Sequence, residues 1–351
     1  MSASFSSSTL AAPASSPKFG KWPGSARSPS NRLVHFRRSF PTILASAGNA
    51  SSSIGTGTKT EMDAVSSFSE IVPDTVVFDD FEKFPPTAAT VSSSLLLGIC
   101  SLPDTRFKSA VEIALANSEC YEQEEPSDRM TCFFNKALVN VGADLAGLVP
   151  GRVSTEVDAR LAYDTRGIIH KVHELLRLYN EAGVSSERLL FKIPATWQGI
   201  EASRLLEAEG IQTHLTFVYS FMILQVIKTY NYIHKYGYKS KLMAAAIRNK
   251  QDLFGILGVD YIIAPLKILQ SLKESVTFPD EKYSYIRRLS PSSAKEYDFT
   301  DKELLKWDQR SFASAMGPCA EELLASGLDG YVNQTRRVEE LFGKIWPLPC
   351  V

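Results

Sequence analysis

A large α/β domain built on parallel strands is the fold that the sequence predicts beyond about residue 70. Short apolar runs alternate with stretches of helical periodicity, which is the pattern of parallel strands joined by crossover helices. The chain has 351 residues, enough for one such domain of about 250 residues and an extension. Seven strands are predicted, near Thr75–Asp79, Ala88–Ser92, Val153–Val157, Leu189–Pro194, Thr213–Val218, Leu242–Ile247 and Tyr261–Pro265.

The helices between and after the strands are predicted from apolar spacing. Gly167–Asn180 carries its apolar side chains on one face, and Thr196 is a good N-cap residue for a helix over Gln198–Glu209. The tail from Asp301 to Trp346 contains further helical stretches, which predict a C-terminal helical cap. Its breaks are predicted at two glycines, Gly327 and Gly330.

Composition excludes several classes of partner. The formal net charge is −1, so the chain lacks the sustained basic surface that nucleic acids or anionic membranes require. No apolar run approaches the roughly 20 residues needed to span a bilayer. The sequence therefore predicts a metabolite enzyme without a nucleic-acid or membrane partner.

The five cysteines are widely spread and contain no CxxC pair. That spacing favours neither a zinc site nor a disulfide scaffold, so reduced thiols are predicted. Cys120 and Cys132 lie in a polar stretch, and a redox switch between them is the less favoured alternative.

The N-terminal segment, residues 1–60, has the composition of an organelle transit peptide. It is rich in Ser, Ala, Gly and Pro with scattered basic residues, and no acidic residue precedes Glu61. The abundance of serine favours a chloroplast over a mitochondrion, and an ordinary disordered tail is the alternative. Residues 70–351 are left as the folded domain.

Lys192 is the first candidate for chemistry. It lies within Leu189–Pro194, an apolar run that predicts a strand buried on both faces. An unpaired buried ammonium is costly, and the usual relief is loss of the proton, which leaves an amine able to attack a carbonyl. The alternative is a strand-end lysine that reaches solvent.

Carboxylates end two other predicted strands. Glu156 and Asp158 share one period-two face, so at least one of them is expected to point into the fold and serve in acid–base chemistry. Asp79 closes the first predicted strand, where it could move a proton. The alternative for all three is a solvated strand end.

Two segments carry a resemblance to a known family. Val-Ser-Thr-Glu-Val-Asp-Ala-Arg-Leu-Ala-Tyr-Asp begins at Val153, and Phe-Lys-Ile-Pro-Ala-Thr-Trp-Gln-Gly-Ile begins at Phe191. Both closely resemble motifs of the transaldolases. Further likeness is found at Thr213–Phe221, Met243–Asn249 and Ile262–Pro265, so the resemblance runs from about residue 70 to the C-terminus.

The resemblance implies a class I aldolase type (β/α)₈ TIM barrel in the pentose phosphate pathway, with sugar phosphates as partners and neither a metal nor a cofactor. Such an enzyme moves a dihydroxyacetone unit from sedoheptulose 7-phosphate or fructose 6-phosphate to an aldose phosphate. Lys192 would form the imine, Glu156 with Thr216 would assist dehydration, and Asp79 would take the proton of the C4 hydroxyl. The substrate-binding residues implied are Arg248, for the phosphate, and Ser92, which stands where the family has asparagine.

A segment of the family pattern is missing after Phe221. Only Met222–Thr229 separate it from Tyr230–Tyr238, whereas the family has a helix, a strand and a phosphate-binding arginine there. The sixth strand is therefore predicted to be absent, with an open seam and weak or absent turnover as consequences. The alternatives are an impaired variant with a binding or regulatory role and a related aldolase that needs no acceptor. A homodimer is left open.

Overall fold

Parallel strands joined by helices make up the part of the chain that the structure describes. The computed structural model describes residues 60–74, 82–101, 107–218, 223–275, 287–300 and 307–345. The predicted transit segment lies outside these ranges apart from Thr60, which caps the first helix. The α/β class predicted from the sequence is confirmed.

The strands follow the predicted positions closely. They are β1 (Glu70–Asp74), β2 (Ala89–Val91), β3 (Val153–Glu156), β4 (Leu189–Pro194), β5 (Thr213–Thr216), β6 (Met243–Ala244) and β7 (Tyr261–Pro265). β4 and β7 have the predicted bounds, and β2, β3, β5 and β6 lie within theirs. β1 directly precedes the predicted strand Thr75–Asp79, which lies outside the described residues.

The strands pair in parallel and form two sheets. One sheet has the order β2-β3-β4-β5 and the other the order β1-β7-β6. Pairing of the first strand with the last is what closes a barrel. Within the described residues β5 pairs only with β4 and β6 only with β7, and the absent pairing falls where a missing strand is predicted. Among the described residues β1 and β2 do not pair either, and the predicted strand Thr75–Asp79, which follows β1 in the chain, lies outside those residues.

Helices connect the strands and extend past them. They are α1 (Glu61–Ser66), α2 (Ser93–Ser101), α3 (Lys108–Leu115), α4 (Ser118–Tyr121), α5 (Pro126–Leu148), α6 (Thr165–Glu181), α7 (Trp197–Ala208), α8 (Ile223–Lys235), α9 (Lys250–Phe254), α10 (Leu266–Glu274), α11 (Pro291–Lys295) and α12 (Gln309–Ile345). Thr196 is the N-cap of α7, as predicted, and its side chain accepts a hydrogen bond from the Gly199 N–H at 2.9 Å. The helix begins at Trp197, one residue before the predicted start. Within the described ranges, none of these helices is long and apolar enough to cross a membrane.

The last helix, α12, contains a sharp break. The backbone of Gly317 has φ +69°, in the left-handed region that favours glycine, and Pro318 follows it. The predicted breaks at Gly327 and Gly330 are wrong, since both residues lie inside the helix. A glycine alone is tolerated in a helix, whereas a left-handed glycine followed by proline interrupts it.

α12 packs across the carboxyl end of β3. Its Leu324 and Leu328 contact Ala159 and Ala162, at the 3₁₀ turn that follows β3. Farther along, Val338 is fully buried in the core that α2 and α5 share with β2. The C-terminal helix is therefore anchored on both sides of the sheet end that holds Glu156.

A disulfide joins Cys120 of α4 to Cys132 of α5. The prediction of reduced thiols is wrong for this pair, and the less favoured alternative, a redox switch between the two cysteines, stays a prediction. The reason is spatial, because packing of α4 against α5 brings the two Cα atoms to 5.4 Å across a sequence separation of 12. Cys100 and Cys319 are free.

A tightly packed contact holds α5 and α6 against β3. Tyr179 of α6 is fully buried, and its hydroxyl shares a 2.6 Å hydrogen bond with Thr155 Oγ1. Gly142 of α5 leaves the room for this hydroxyl, because a β-carbon there would overlap Tyr179 Oη. The contact fixes β3 and thereby Glu156, the next residue along the strand.

Candidate active site

The site is built on three neighbouring strands in parallel register. Glu156 of β3 lies beside Lys192 of β4, and Lys192 lies beside His214 of β5. Residues at one level of a parallel sheet project to the same face. The register therefore places a carboxyl, an amine and an imidazole in one row.

Lys192 is buried, as its apolar strand predicts. Its side chain is 7% exposed, and its Nζ lies 3.8 Å from Glu156 Oε2. The Nζ also donates a hydrogen bond to Tyr331 Oη, at 3.3 Å. The solvent-facing alternative is thus excluded, and the amine is held between a carboxyl and a phenol.

Glu156 is a carboxyl in an environment that resists its ionisation. Burial raises the pKa of Glu156 to about 7, and the charge of Lys192 and hydrogen bonds from Ser93 offset part of that rise. Ser93 Oγ donates to Oε1 at 2.9 Å, and the Ser93 N–H lies 3.4 Å from Oε2. Near neutral pH the carboxyl can therefore exist in both protonation states, as general acid–base chemistry needs.

Asp158, the other carboxyl considered on this strand, has a different role. It accepts from the Arg160 side chain at 2.6 Å, and Arg160 also contacts Glu339 of α12 at 2.8 Å. The alternative of an ordinary charged strand end applies to Asp158, whereas Glu156 points inward. The bridge fastens α12 to the turn after β3.

His214 was missed by the sequence analysis. Its Nδ1 lies 2.8 Å from Ser154 Oγ, and burial, with help from the charge of Lys192, lowers the pKa of His214 to about 4. The imidazole is therefore neutral at physiological pH, a donor and acceptor rather than a cation. Its position could have been found, because His214 precedes the predicted Thr216 by two residues and so shares its face.

Ser93 and Tyr331 were also missed. Both reach the site through contacts distant in sequence, 63 residues for Ser93 with Glu156 and 139 for Tyr331 with Lys192. Ser93 is the first residue of α2, and a helix N-terminus favours a nearby carboxylate. No local pattern marks Tyr331.

Of the remaining predicted site residues, three lie within the described ranges and one lies outside them. Thr216 ends β5 on the face of His214, and Ser92 follows β2 with its Oγ accepting from the Leu95 N–H at 3.3 Å. Arg248 is exposed and lies four residues after the end of β6. Asp79 lies outside the described residues, so its role stays a prediction.

Metal ligands are not gathered in this site. Within residues 60–74, 82–101, 107–218, 223–275, 287–300 and 307–345, no group of three His, Cys, Asp or Glu side chains could hold a metal ion.

The chain is similar in sequence to known proteins. The family model "Transaldolase/Fructose-6-phosphate aldolase" matches residues 71–227, which include β2 to β5. The "Transaldolase" of Histophilus somni (strain 2336) is 30% identical over 322 residues, covering 80% of this chain and 98% of the relative. The "Transaldolase" of Haemophilus influenzae (strain PittEE) is 30% identical over 322 residues, covering 80% and 99%. "Transaldolase A" of Pasteurella multocida (strain Pm70) is 30% identical over 324 residues, covering 80% and 98%.

The same comparison is consistent with a missing segment. The Histophilus match runs over 322 residues but takes in 80% of the 351 residues here, about 281, so about 40 aligned positions have no counterpart in this chain. The family-model match ends at residue 227, shortly after the predicted gap at Phe221. Relatives covered almost from end to end at 30% identity, together with a buried lysine–glutamate pair on adjacent strands, show that this chain belongs to the transaldolase family.

Proposed function

We propose that this chain forms a Schiff base between Lys192 and the carbonyl carbon of a ketose phosphate and passes a dihydroxyacetone unit to an aldose phosphate. The observation that carries the proposal is the buried Nζ of Lys192, 3.8 Å from the carboxyl of Glu156. Donors named by the family resemblance are sedoheptulose 7-phosphate and fructose 6-phosphate, and glyceraldehyde 3-phosphate is an acceptor.

Imine formation needs a nucleophilic amine and a group that handles protons. The amine of Lys192 adds to the ketose carbonyl, and the carbinolamine hydroxyl then leaves as water. Glu156 is suited to protonate that leaving hydroxyl, because its pKa of about 7 lies near physiological pH. The ammonium of Lys192 and the carbonyl thus become one protonated imine and one water molecule.

Carbon–carbon cleavage then uses the imine as an electron sink. The bond between C3 and C4 breaks, its electron pair moves toward the protonated imine nitrogen, and the C4 hydroxyl proton passes to a base, for which we propose Asp79. The enamine left on Lys192 attacks the aldehyde carbon of the acceptor, and hydrolysis restores the amine. Thr216, on the strand next to Lys192, is proposed to orient the water with Glu156.

The predicted missing segment should lower the rate of turnover. We propose that Arg248 binds the substrate phosphate by charge-assisted hydrogen bonds. The missing segment would remove the arginine that shares this phosphate in the family, so turnover is expected to be weak. A binding or regulatory role without chemistry is the less favoured alternative, because the Glu156–Lys192 pair is intact.

We propose in addition that residues 1–60 direct the chain to the plastid stroma. The support is composition, since basic residues are scattered through this serine-rich segment and no acid precedes Glu61. A fluorescent protein fused after residue 70 should accumulate in chloroplasts. Cytosolic fluorescence from that fusion would contradict the proposal.

Borohydride trapping tests the proposed chemistry. The mature chain is incubated with fructose 6-phosphate and borohydride, and peptides are searched by mass spectrometry for a reduced three-carbon adduct. We expect the adduct on Lys192, its loss in Lys192→Ala, and its retention in Lys239→Ala, which changes an exposed lysine. No adduct, with a full-length transaldolase labelled in parallel, would refute the function.

Product analysis separates the remaining activity classes. A transferase releases little free dihydroxyacetone and needs an aldehyde acceptor for turnover. An aldolase releases dihydroxyacetone from fructose 6-phosphate whether or not an acceptor is present.

A further inference from the structure

Tyr331 brings the C-terminal helix into the site. It lies on α12, and its hydroxyl oxygen accepts the hydrogen bond from Lys192 Nζ at 3.3 Å. The Nζ also lies 4.9 Å from the centroid of the Tyr331 ring, within the range of a cation–π contact. Glu156, at 3.8 Å, is close enough for an ion pair but beyond hydrogen-bond distance. Tyr331 is therefore the group that makes the directed contact with the amine.

The position of the Tyr331 ring is set by its packing. The Tyr331 and Phe217 rings meet in an edge-to-face arrangement, with centroids 4.9 Å apart and planes at 86°. Phe217 follows β5 directly and has φ +59°, a left-handed conformation that is a genuine outlier for a bulky residue. Such a conformation persists only where the surroundings over-determine it. The two rings thus form a packed aromatic contact between the end of β5 and α12.

The helix that carries Tyr331 is held at two further points. Leu328, one turn before Tyr331, contacts the alanines of the 3₁₀ turn after β3. Two turns beyond it, Glu339 accepts a 2.8 Å ion pair from Arg160 of that turn. The hydroxyl is therefore fixed relative to β3 and β5, the two strands that flank Lys192.

We propose that Tyr331 is a positioning residue for the Schiff-base lysine, so that the C-terminal helix is part of the active site. A lysine stem has four flexible carbons, and imine formation needs its nitrogen held on one line of attack. Tyr331 supplies that constraint from the side opposite to the strand. The inference rests on the proposed function for its role in turnover, but the constraint on Lys192 is a property of the protein alone.

Kinetics separate this role from substrate binding. Tyr331→Phe keeps the ring and its contact with Phe217 and removes only the hydroxyl. We expect kcat to fall by about 10-fold to 100-fold, since small misplacements of a reacting group cost this much. KM should stay within about twofold, because the hydroxyl contacts the amine and not the phosphate. A raised KM with unchanged kcat would overturn the proposal.

A probe that needs no sugar phosphate tests the constraint directly. Formaldehyde with cyanoborohydride methylates Lys192, and mass spectrometry of its peptide follows the rate between about pH 6 and about pH 10. In Tyr331→Phe we expect the rate at high pH to fall about tenfold. Tyr236→Phe, which removes the hydroxyl of an exposed tyrosine on another face, should match the native chain.

Two comparisons decide the result. In one outcome, Lys192 is methylated at the native rate in Tyr331→Phe and slowly only in Tyr331→Leu. That result would show that the ring packs but the hydroxyl does not position the amine, and it would overturn the proposal. If Tyr331→Phe slows formaldehyde labelling while fructose 6-phosphate gives no adduct on the native chain, the proposed function fails and the positioning role stands. Circular dichroism of each variant confirms that the fold is kept.

Discussion

The fold disfavours ionisation of the Glu156 carboxyl. The substitution Glu156→Gln measures the free-energy cost of that ionisation. Burial raises its pKa from the usual 4.5 to about 7. Between these two values the folded chain binds more protons than the unfolded chain, so the free energy of unfolding falls as pH rises. The difference of about 2.5 pH units, at about 1.4 kcal/mol each, gives a loss of roughly 3 kcal/mol that is complete above about pH 7.

Glutamine carries no ionisable proton, so the variant lacks this loss. We expect the free energy of unfolding of Glu156→Gln, relative to the native chain, to rise by about 3 kcal/mol between about pH 4.5 and about pH 8. Urea unfolding at a series of pH values, followed by tryptophan fluorescence, measures it. Trp197 follows β4 closely and reports on this sheet. The variant should also lose most trapping of the sugar adduct.

Glu156→Gln also removes the ion-pair partner of Lys192, and this second effect requires a control. The comparison is therefore repeated with Lys192→Met in both chains, which removes the ammonium from each. Without the cation that lowers the pKa of Glu156, the pH-dependent difference should be at least as large. A difference that stays constant across this pH range, in either background, would refute the assignment of Glu156 as a buried carboxyl that resists ionisation.

Three further substitutions test the surroundings of the site. Ser93→Ala removes a hydrogen bond that lowers the pKa of Glu156, so the pH profile of adduct trapping should move up by about one unit; an unmoved profile would contradict the contact. Cys120→Ser opens the disulfide between α4 and α5 and should cost about 2 to 3 kcal/mol in urea unfolding. Dithiothreitol should destabilise the native chain by a similar amount and leave this variant unchanged. Gly142→Ala drives a β-carbon into Tyr179 and should cost about 1 to 3 kcal/mol, so an unchanged thermal midpoint would refute that packing.

The residues that sequence predicts well are those whose signal is local. Lys192 stands out because it is a lysine in a six-residue apolar strand, and β4 has its predicted bounds. Glu156 is singled out by the period-two face of β3, and its neighbour Asp158 could be told apart only by its contacts. Strand register then brings the two candidates together, because parallel neighbours align their carboxyl ends.

The features that sequence missed depend on packing between distant segments. Tyr331 reaches Lys192 only because α12 packs across the end of β3. No sequence pattern near Tyr331 predicts this contact. The Cys120–Cys132 bond follows from the packing of α4 against α5, which brings the two Cα atoms to 5.4 Å, rather than from a cysteine motif. His214 is the exception, since it lies two residues before Thr216, which the family resemblance implies, and therefore shares its face of β5.

The division of the described strands into two sheets also divides the apolar core. One cluster gathers side chains of β6 and β7, with Ile262 and Leu269 fully buried in it, and includes no residue of β2 to β5. Separate clusters, containing Val153 and Phe191, line β2, β3 and β4. Cooperativity in unfolding requires shared packing and shared hydrogen bonds, and here the described strands share neither between the two sheets. A sugar bound to Lys192 should therefore protect the backbone amides of β2, β3 and β4 from hydrogen exchange more than those of β6 and β7.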